Sequence, residues 1–263
     1  MKKSQMVLDR IRNDTINPLI IKIGKKIEKK HFSGIPIIIG ASPRSGTTLL
    51  LSILDAYPNI HSIQRQTYAF TKWTEDEPCI PPRIDRLYRE FIRHRVSAKA
   101  KRWCEKTPRN IQYFDKILNY FKENVRLIHM IRDGRDVVTS KHPLHKPDRY
   151  WVSVDRWVDD VKDGLKFKDH PQVFTIKYEN LIFNFNHEVK KLSHFLNENF
   201  IPTDRSWKEK TSVKKSKHWA EPIQDLHARS IKRWKKEEHK QRMEEFNQHT
   251  EAKHLLKKLE YEI

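Results

Sequence analysis

Ile35-Pro36-Ile37-Ile38-Ile39 runs straight into Gly40-Ala41-Ser42-Pro43-Arg44-Ser45-Gly46-Thr47-Thr48, and then into Leu49, Leu50, Ile53, Leu54 and Tyr57 at helical spacing, up to Pro58. A continuous β-branched run without alternation is a strand buried on both faces, the kind found in parallel sheets. A parallel sheet demands crossover connections, usually helices. This single stretch therefore commits the chain to strand, glycine-containing loop and helix, the opening unit of an α/β fold.

The unit recurs. Val125 to Ile131 reads as a second buried strand, followed by a charged turn and a short helix from about Arg135. Val173 to Ile176 is a third, with helix-like sequence through Leu196, and Arg102 to Cys104 a short fourth. Helical patterns fill 83–97, 111–121 and 151–168, where Trp151, Trp157, Val161 and Leu165 are expected to share a buried face. Alternation of this type predicts a three-layer α/β/α architecture with a central parallel sheet. With 263 residues the chain suits one domain, 1–263, rather than two. Residues 1–33 form a basic, mildly amphipathic segment with Ile16, Leu19, Ile20, Ile23 and Ile27 at helical spacing. It is expected to pack on the domain as a peripheral helix, the alternative being a helix on a membrane surface. The tail, 229–262, is charged and helical, with Ile231, Trp234, Leu255, Leu256 and Leu259 as packing contacts.

The formal net charge of +19 points to a polyanionic partner or to a solvated lysine surface, and does not choose between them. The 27 aromatic residues are not interleaved with arginines as a nucleic-acid platform requires, so no nucleic-acid partner is expected. No run approaches the roughly 20 apolar residues of a membrane span. Met1-Lys2-Lys3-Ser4-Gln5 lacks the apolar core of a secretion signal, and Cys79 and Cys104 suit a reducing compartment. The expectation is a cytoplasmic protein, with peripheral membrane contact possible and its oligomeric state unreadable.

A loop at the carboxyl end of a buried strand that opens into a helix offers free N–H groups and the positive end of the helix dipole. Gly46 allows close backbone approach, Ser45, Thr47 and Thr48 add hydroxyl donors, and Arg44 adds a fixed charge. Ordinary helix capping by Ser or Thr is the competing reading. A nucleotide kinase or ATPase loop, G-x-x-x-x-G-K-[ST], is out of register: one extra residue separates Gly40 from Gly46, and Thr47 stands at the lysine. Pro43-Arg44-Ser45-Gly46-Thr47-Thr48 resembles instead the 5′-phosphosulfate loop of sulfotransferases of the Golgi and bacterial type. That resemblance implies a P-loop-like fold and 3′-phosphoadenylyl sulfate (PAPS) as co-substrate.

Ile131-Arg132-Asp133-Gly134-Arg135-Asp136-Val137-Val138-Thr139-Ser140 supplies a second cation and hydroxyl where the second strand ends. Turn salt bridges of Arg132 and Arg135 with Asp133 and Asp136 are the alternative use. The segment is similar to the sulfotransferase element whose arginine and serine bind the donor's 3′-phosphate, which implies that role for Arg132 and Ser140. Lys177-Tyr178-Glu179-Asn180-Leu181 resembles R-Y-E-D-L, whose tyrosine lies near the adenine, and Ile231-Lys232-Arg233-Trp234-Lys235 resembles I-G-R-W-K, implying a donor-site cation at Arg233. Ser216 falls in a region that supplies a donor-site serine in some relatives.

Sulfuryl transfer is an in-line displacement governed by positioning and charge stabilisation, close in logic to phosphoryl transfer. Arg44 and the loop amides suit the charge developing on the leaving oxygen, and no metal is expected because the 14 histidines lack ligand spacing. Glu105-Lys106-Thr107-Pro108 resembles the family's E-K-T-P, whose lysine is close to the transferred group, which implies transition-state stabilisation by Lys106; Glu105 is our assignment as base, with a plain Glu–Lys surface pair as the alternative. Many relatives carry a glutamate base where Gln66 stands here, and glutamine takes no proton. His61, His142 and Glu75 are the further candidates. The acceptor is expected to be a saccharide or small molecule, with an anionic one suggested by Arg83, Arg86, Arg89, Arg93, Arg95, Lys141, Lys146 and Arg149. A catalytically idle nucleotide-binding relative is the remaining alternative.

Overall fold

The computed structural model describes residues 12–73, 83–141, 149–203, 206–212 and 228–262. In chain order they form helix α1 (Asn17–His31), strand β1 (Ile37–Ala41), α2 (Thr47–Asp55), β2 (Ile60–Ser62), α3 (Ile84–Arg93), β3 (Arg102–Lys106), α4 (Phe114–Tyr120) and β4 (Arg126–Ile131). There follow α5 (Gly134–Val138), α6 (Val154–Leu165), β5 (Val173–Lys177), α7 (Tyr178–Phe183), α8 (Phe185–Leu196), α9 (Trp207–Lys210), α10 (Lys240–Gln248) and α11 (Thr250–Lys258).

The strands form one five-stranded sheet in the order β2-β3-β1-β4-β5, parallel at every pairing. Every residue of β1 is buried, as its unbroken apolar run requires of a central strand. One face packs Leu50, Leu51, Ile53 and Leu54 of α2 with Val189 and Leu192 of α8. The other packs Leu87 and Phe91 of α3 with Ile117 of α4. A third cluster joins Val137 and Val138 to Trp157, Val161, Phe246 and Leu255, so the tail closes over the carboxyl end of β4. Complete burial of a Leu, Ile or Phe side chain contributes about 1.5–3 kcal/mol.

α1 packs against α3 as a peripheral helix, through a close approach. A Cβ at Gly24 would lie 2.2 Å from the Cβ of Tyr88. The Tyr88 hydroxyl donates to Glu28 Oε2 at 2.7 Å, and Trp103 Nε1 donates to Glu28 Oε1 at 2.9 Å.

Three elements differ from the sequence expectation. β2 is a strand of three residues that no periodicity marks. α6 begins at Val154, capped by Ser153, so Trp151 precedes it and stands exposed, off the buried face of Trp157 and Val161. The tail splits at His249 into α10 and α11, with Ile231 and Trp234 packed as expected. Cys104 is free and buried, and Cys79 lies outside the described residues.

Candidate donor-binding site

β1 connects outward through β2 and β3 on one side, while β4 and β5 lie on the other. The order reverses between β1 and β4, and the crevice at the carboxyl ends of such strands is where an open α/β sheet binds ligands. Register places Ala41 of β1 opposite Met130 of β4, so the loops that follow, 42–46 and 132–133, flank this crevice.

Gly46 is the N-cap residue of α2, in the left-handed region at φ 91°, and no side chain caps the helix. Ser/Thr capping is therefore not what this loop does, and the first N–H groups of α2 lack a side-chain acceptor. A Cβ at Gly46 would lie 2.4 Å from Tyr178 Cδ2, so only glycine fits. Arg44 also adopts a left-handed conformation, at φ 71°, a strained choice for a side-chain-bearing residue.

Arg44, Arg132 and Arg233 converge here from three separate segments. Burial and the neighbouring charges of Arg132 and Arg233 pull the Arg44 guanidinium down to about 10. Burial and Arg132 lower Arg233 in the same direction. Arg132 donates to the Arg44 carbonyl at 2.8 Å and to the Ser230 carbonyl, and lies 4.7 Å above the Tyr178 ring. Arg233 donates to Ser140 Oγ at 3.1 Å. The Nε atoms of all three arginines and Ser45 Oγ are buried without a partner. Clustered like charges with unused buried donors are costly unless an anion completes them.

The two acidic residues of the β4 turn divide their work. Asp133 caps α5 and pairs with Arg135, which stacks on Trp234 at 4.1 Å, so the turn salt bridge exists for that arginine. Asp136, fully buried, accepts the backbone N–H of Lys232 at 2.9 Å and of Trp234 at 3.2 Å. It thereby clamps the segment that carries Arg233, a positioning role the sequence did not signal. It also forms the second turn salt bridge, with Arg132 at 3.8 Å. Ser140 lies just past the end of α5.

Alternation along β3 sends Glu105 and Lys106 to opposite faces. Lys106 Nζ donates to Thr48 Oγ1 at 3.4 Å, so a lysine from β3 reaches the loop that carries none itself. Burial pulls this ammonium down to about 8, against the opposing charge of Glu105. Glu105, the base expected from the sequence, is already engaged by hydrogen-bond donors. Its Oε1 accepts Thr67 N at 3.2 Å, Thr67 Oγ1 at 2.8 Å and Thr107 Oγ1 at 2.6 Å, and its Oε2 accepts Asn110 Nδ2 at 2.7 Å. Four donors and complete burial make it a clamp for the surrounding loops. His61 packs against Phe32 and Phe91 at the β2 edge, where burial lowers its pKa. It lines a cavity of about 530 Å³ with Tyr57, Gln64, Glu90, His94 and Phe200. Ser216, His142, Glu75 and Lys146 lie outside the described residues. Among the described residues no three His, Cys, Asp or Glu side chains gather as a metal-ligand set.

The fold that brings these two loops together is matched by similarity to known proteins. A putative protein-tyrosine sulfotransferase of Caenorhabditis briggsae is 26% identical over 181 residues, 61% of this chain and 64% of the relative. The aligned stretch spans less than two thirds of the length of each curated relative matched. The sulfotransferase domain of the Synechococcus PCC 7002 olefin synthase shares the fold with a TM-score of 0.57 at 14% identity, covering 89% of this chain and 97% of that one. A mouse sulfotransferase complexed with PAP superposes with a TM-score of 0.52 at 16% identity, covering 90% and 94%. The Sulfotransferase family matches residues 36–202, well over half of the chain and inclusive of both loops, and to that family the protein belongs.

Proposed function

We propose that the protein transfers a sulfuryl group from PAPS to a hydroxyl or amine of a saccharide or small-molecule acceptor, releasing 3′,5′-ADP. The observation that carries this reading is the convergence of Arg44, Arg132 and Arg233 at the β1/β4 crevice with their Nε atoms buried and unpartnered. The donor supplies the activated sulfuryl group, and the chain's part is positioning and charge. Arg44, Ser45, Gly46, Thr47 and Thr48 would hold the 5′-phosphosulfate on the N-terminus of α2. Arg132, Ser140 and Arg233 would hold the 3′-phosphate, and Tyr178, which stacks on Arg132, would border the base. Lys106, adjacent to Thr48, would oppose charge growing on the leaving oxygen.

A donor-binding protein without transfer activity is the second reading. One observation favours it: Gln66 takes no proton, and Glu105 is fully engaged by donors. Incubation with sulfur-labelled PAPS and a panel of phenols, saccharides and amines separates the two. Transfer to any acceptor class, lost in Lys106→Met, supports the enzyme. Tight binding of 3′,5′-ADP with no transfer across the panel supports the idle relative.

A further inference from the structure

α1 buries one side on α3 and presents another to solvent. Gly24 faces Tyr88, while Ile20, Ile21 and Ile27 pack into the core beneath. Three apolar side chains are left out of that contact: Ile16 is 43% exposed, Leu19 56% and Ile23 39%. Their spacing of three and four residues places them on one stripe of the helix. Lys22, Lys25, Lys26, Lys29 and Lys30 are all exposed on the same helix, and none is ion-paired among the described residues. The single acidic residue of α1, Glu28, is turned inward to Tyr88 and Trp103. Among the described side chains, the outward surface of α1 therefore carries a short apolar stripe beside lysines and no negative charge.

We propose that this face of α1 docks the protein on an anionic phospholipid surface. An interfacial helix gains from a shallow apolar stripe and from basic side chains near lipid headgroups, each term weak alone and additive together. A nucleic acid would use the lysines and leave the stripe in water. No helix among the described residues is long and apolar enough to cross a membrane, so α1 would lie on the surface. Docking does not involve the crevice between β1 and β4.

Co-sedimentation of the full chain with phosphatidylcholine vesicles, with and without phosphatidylserine, tests the proposal. Partitioning onto the anionic vesicles should exceed that onto neutral ones by at least about tenfold at low salt and fall as salt rises. Leu19→Asp with Ile23→Asp, and separately Lys22→Glu with Lys26→Glu, should each remove most of it. Both variants change exposed residues, and an unaltered thermal shift with 3′,5′-ADP shows that each folds. Arg132→Ala should leave vesicle binding intact, which keeps this test separate from that of the donor site. Absence of binding, equal binding to neutral vesicles, or loss in the charge variant alone would overturn the proposal. The last outcome would mark a generic polyanion surface.

Discussion

Arg44 combines three costs in one residue: a left-handed backbone, partial burial and two guanidinium neighbours. A protein retains such strain where function needs it. Arg44→Gly should therefore raise ligand-free stability by about 1 kcal/mol while abolishing stabilisation by 3′,5′-ADP, seen by thermal denaturation with and without the nucleotide. Lys106 gives a pH signature. Its ammonium is lowered to about 8 by burial, whereas the unfolded chain keeps that proton to about pH 10.4. The cost of burying the charge is thus fully present below pH 8 and falls away as pH rises towards the unfolded value. Binding of an anion beside Thr48 should restore the proton. Calorimetry in buffers of different ionisation enthalpy should show proton uptake on nucleotide binding just above pH 8, and Lys106→Met should lose it. Lys106 and Glu105 also show what a residue motif conceals. Their types suggest an acid–base pair, yet a period of two along β3 puts one toward Thr48 and the other among Thr67, Thr107 and Asn110.

α5 and the segment 230–235 form a small device. Asp136 accepts two backbone N–H groups of that segment, and Arg233 reaches Ser140 as a result. Asp136→Asn should leave kcat nearly unchanged, raise the KM for the donor roughly tenfold, and speed amide exchange at Lys232 and Trp234, a set of changes that simple loss of folding would not give. At this scale the sequence was uneven. β1 was legible because an unbroken apolar run admits few other readings, β4 because Leu127, Ile128, Met130 and Ile131 outweigh Arg126 and His129, and the loop after β1 because its residue types serve few purposes. β2 was not, since three residues are too few for a period to register. Asp136 gave no signal because its partners are backbone groups almost a hundred residues away. Trp151 was misplaced because the helical pattern continues past the Ser153 cap that stops it.

The whole molecule carries a formal charge of +19, yet only a few of those charges converge where β1 and β4 part. Surface lysines farther away than about 8 Å are screened at physiological salt, so they steer approach more than they hold a ligand. On the proposed function, the crevice recognises a nucleotide phosphorylated at both the 3′ and 5′ positions. The sharpest test is titration calorimetry in EDTA with 3′,5′-ADP and with 5′-AMP, which differs from it only in lacking the 3′-phosphate. 3′,5′-ADP should bind at least about tenfold more tightly, a difference of about 1.4 kcal/mol, and Arg233→Ala should erase the gap. Equal affinity for the two nucleotides, or binding that requires ATP and magnesium, would contradict it.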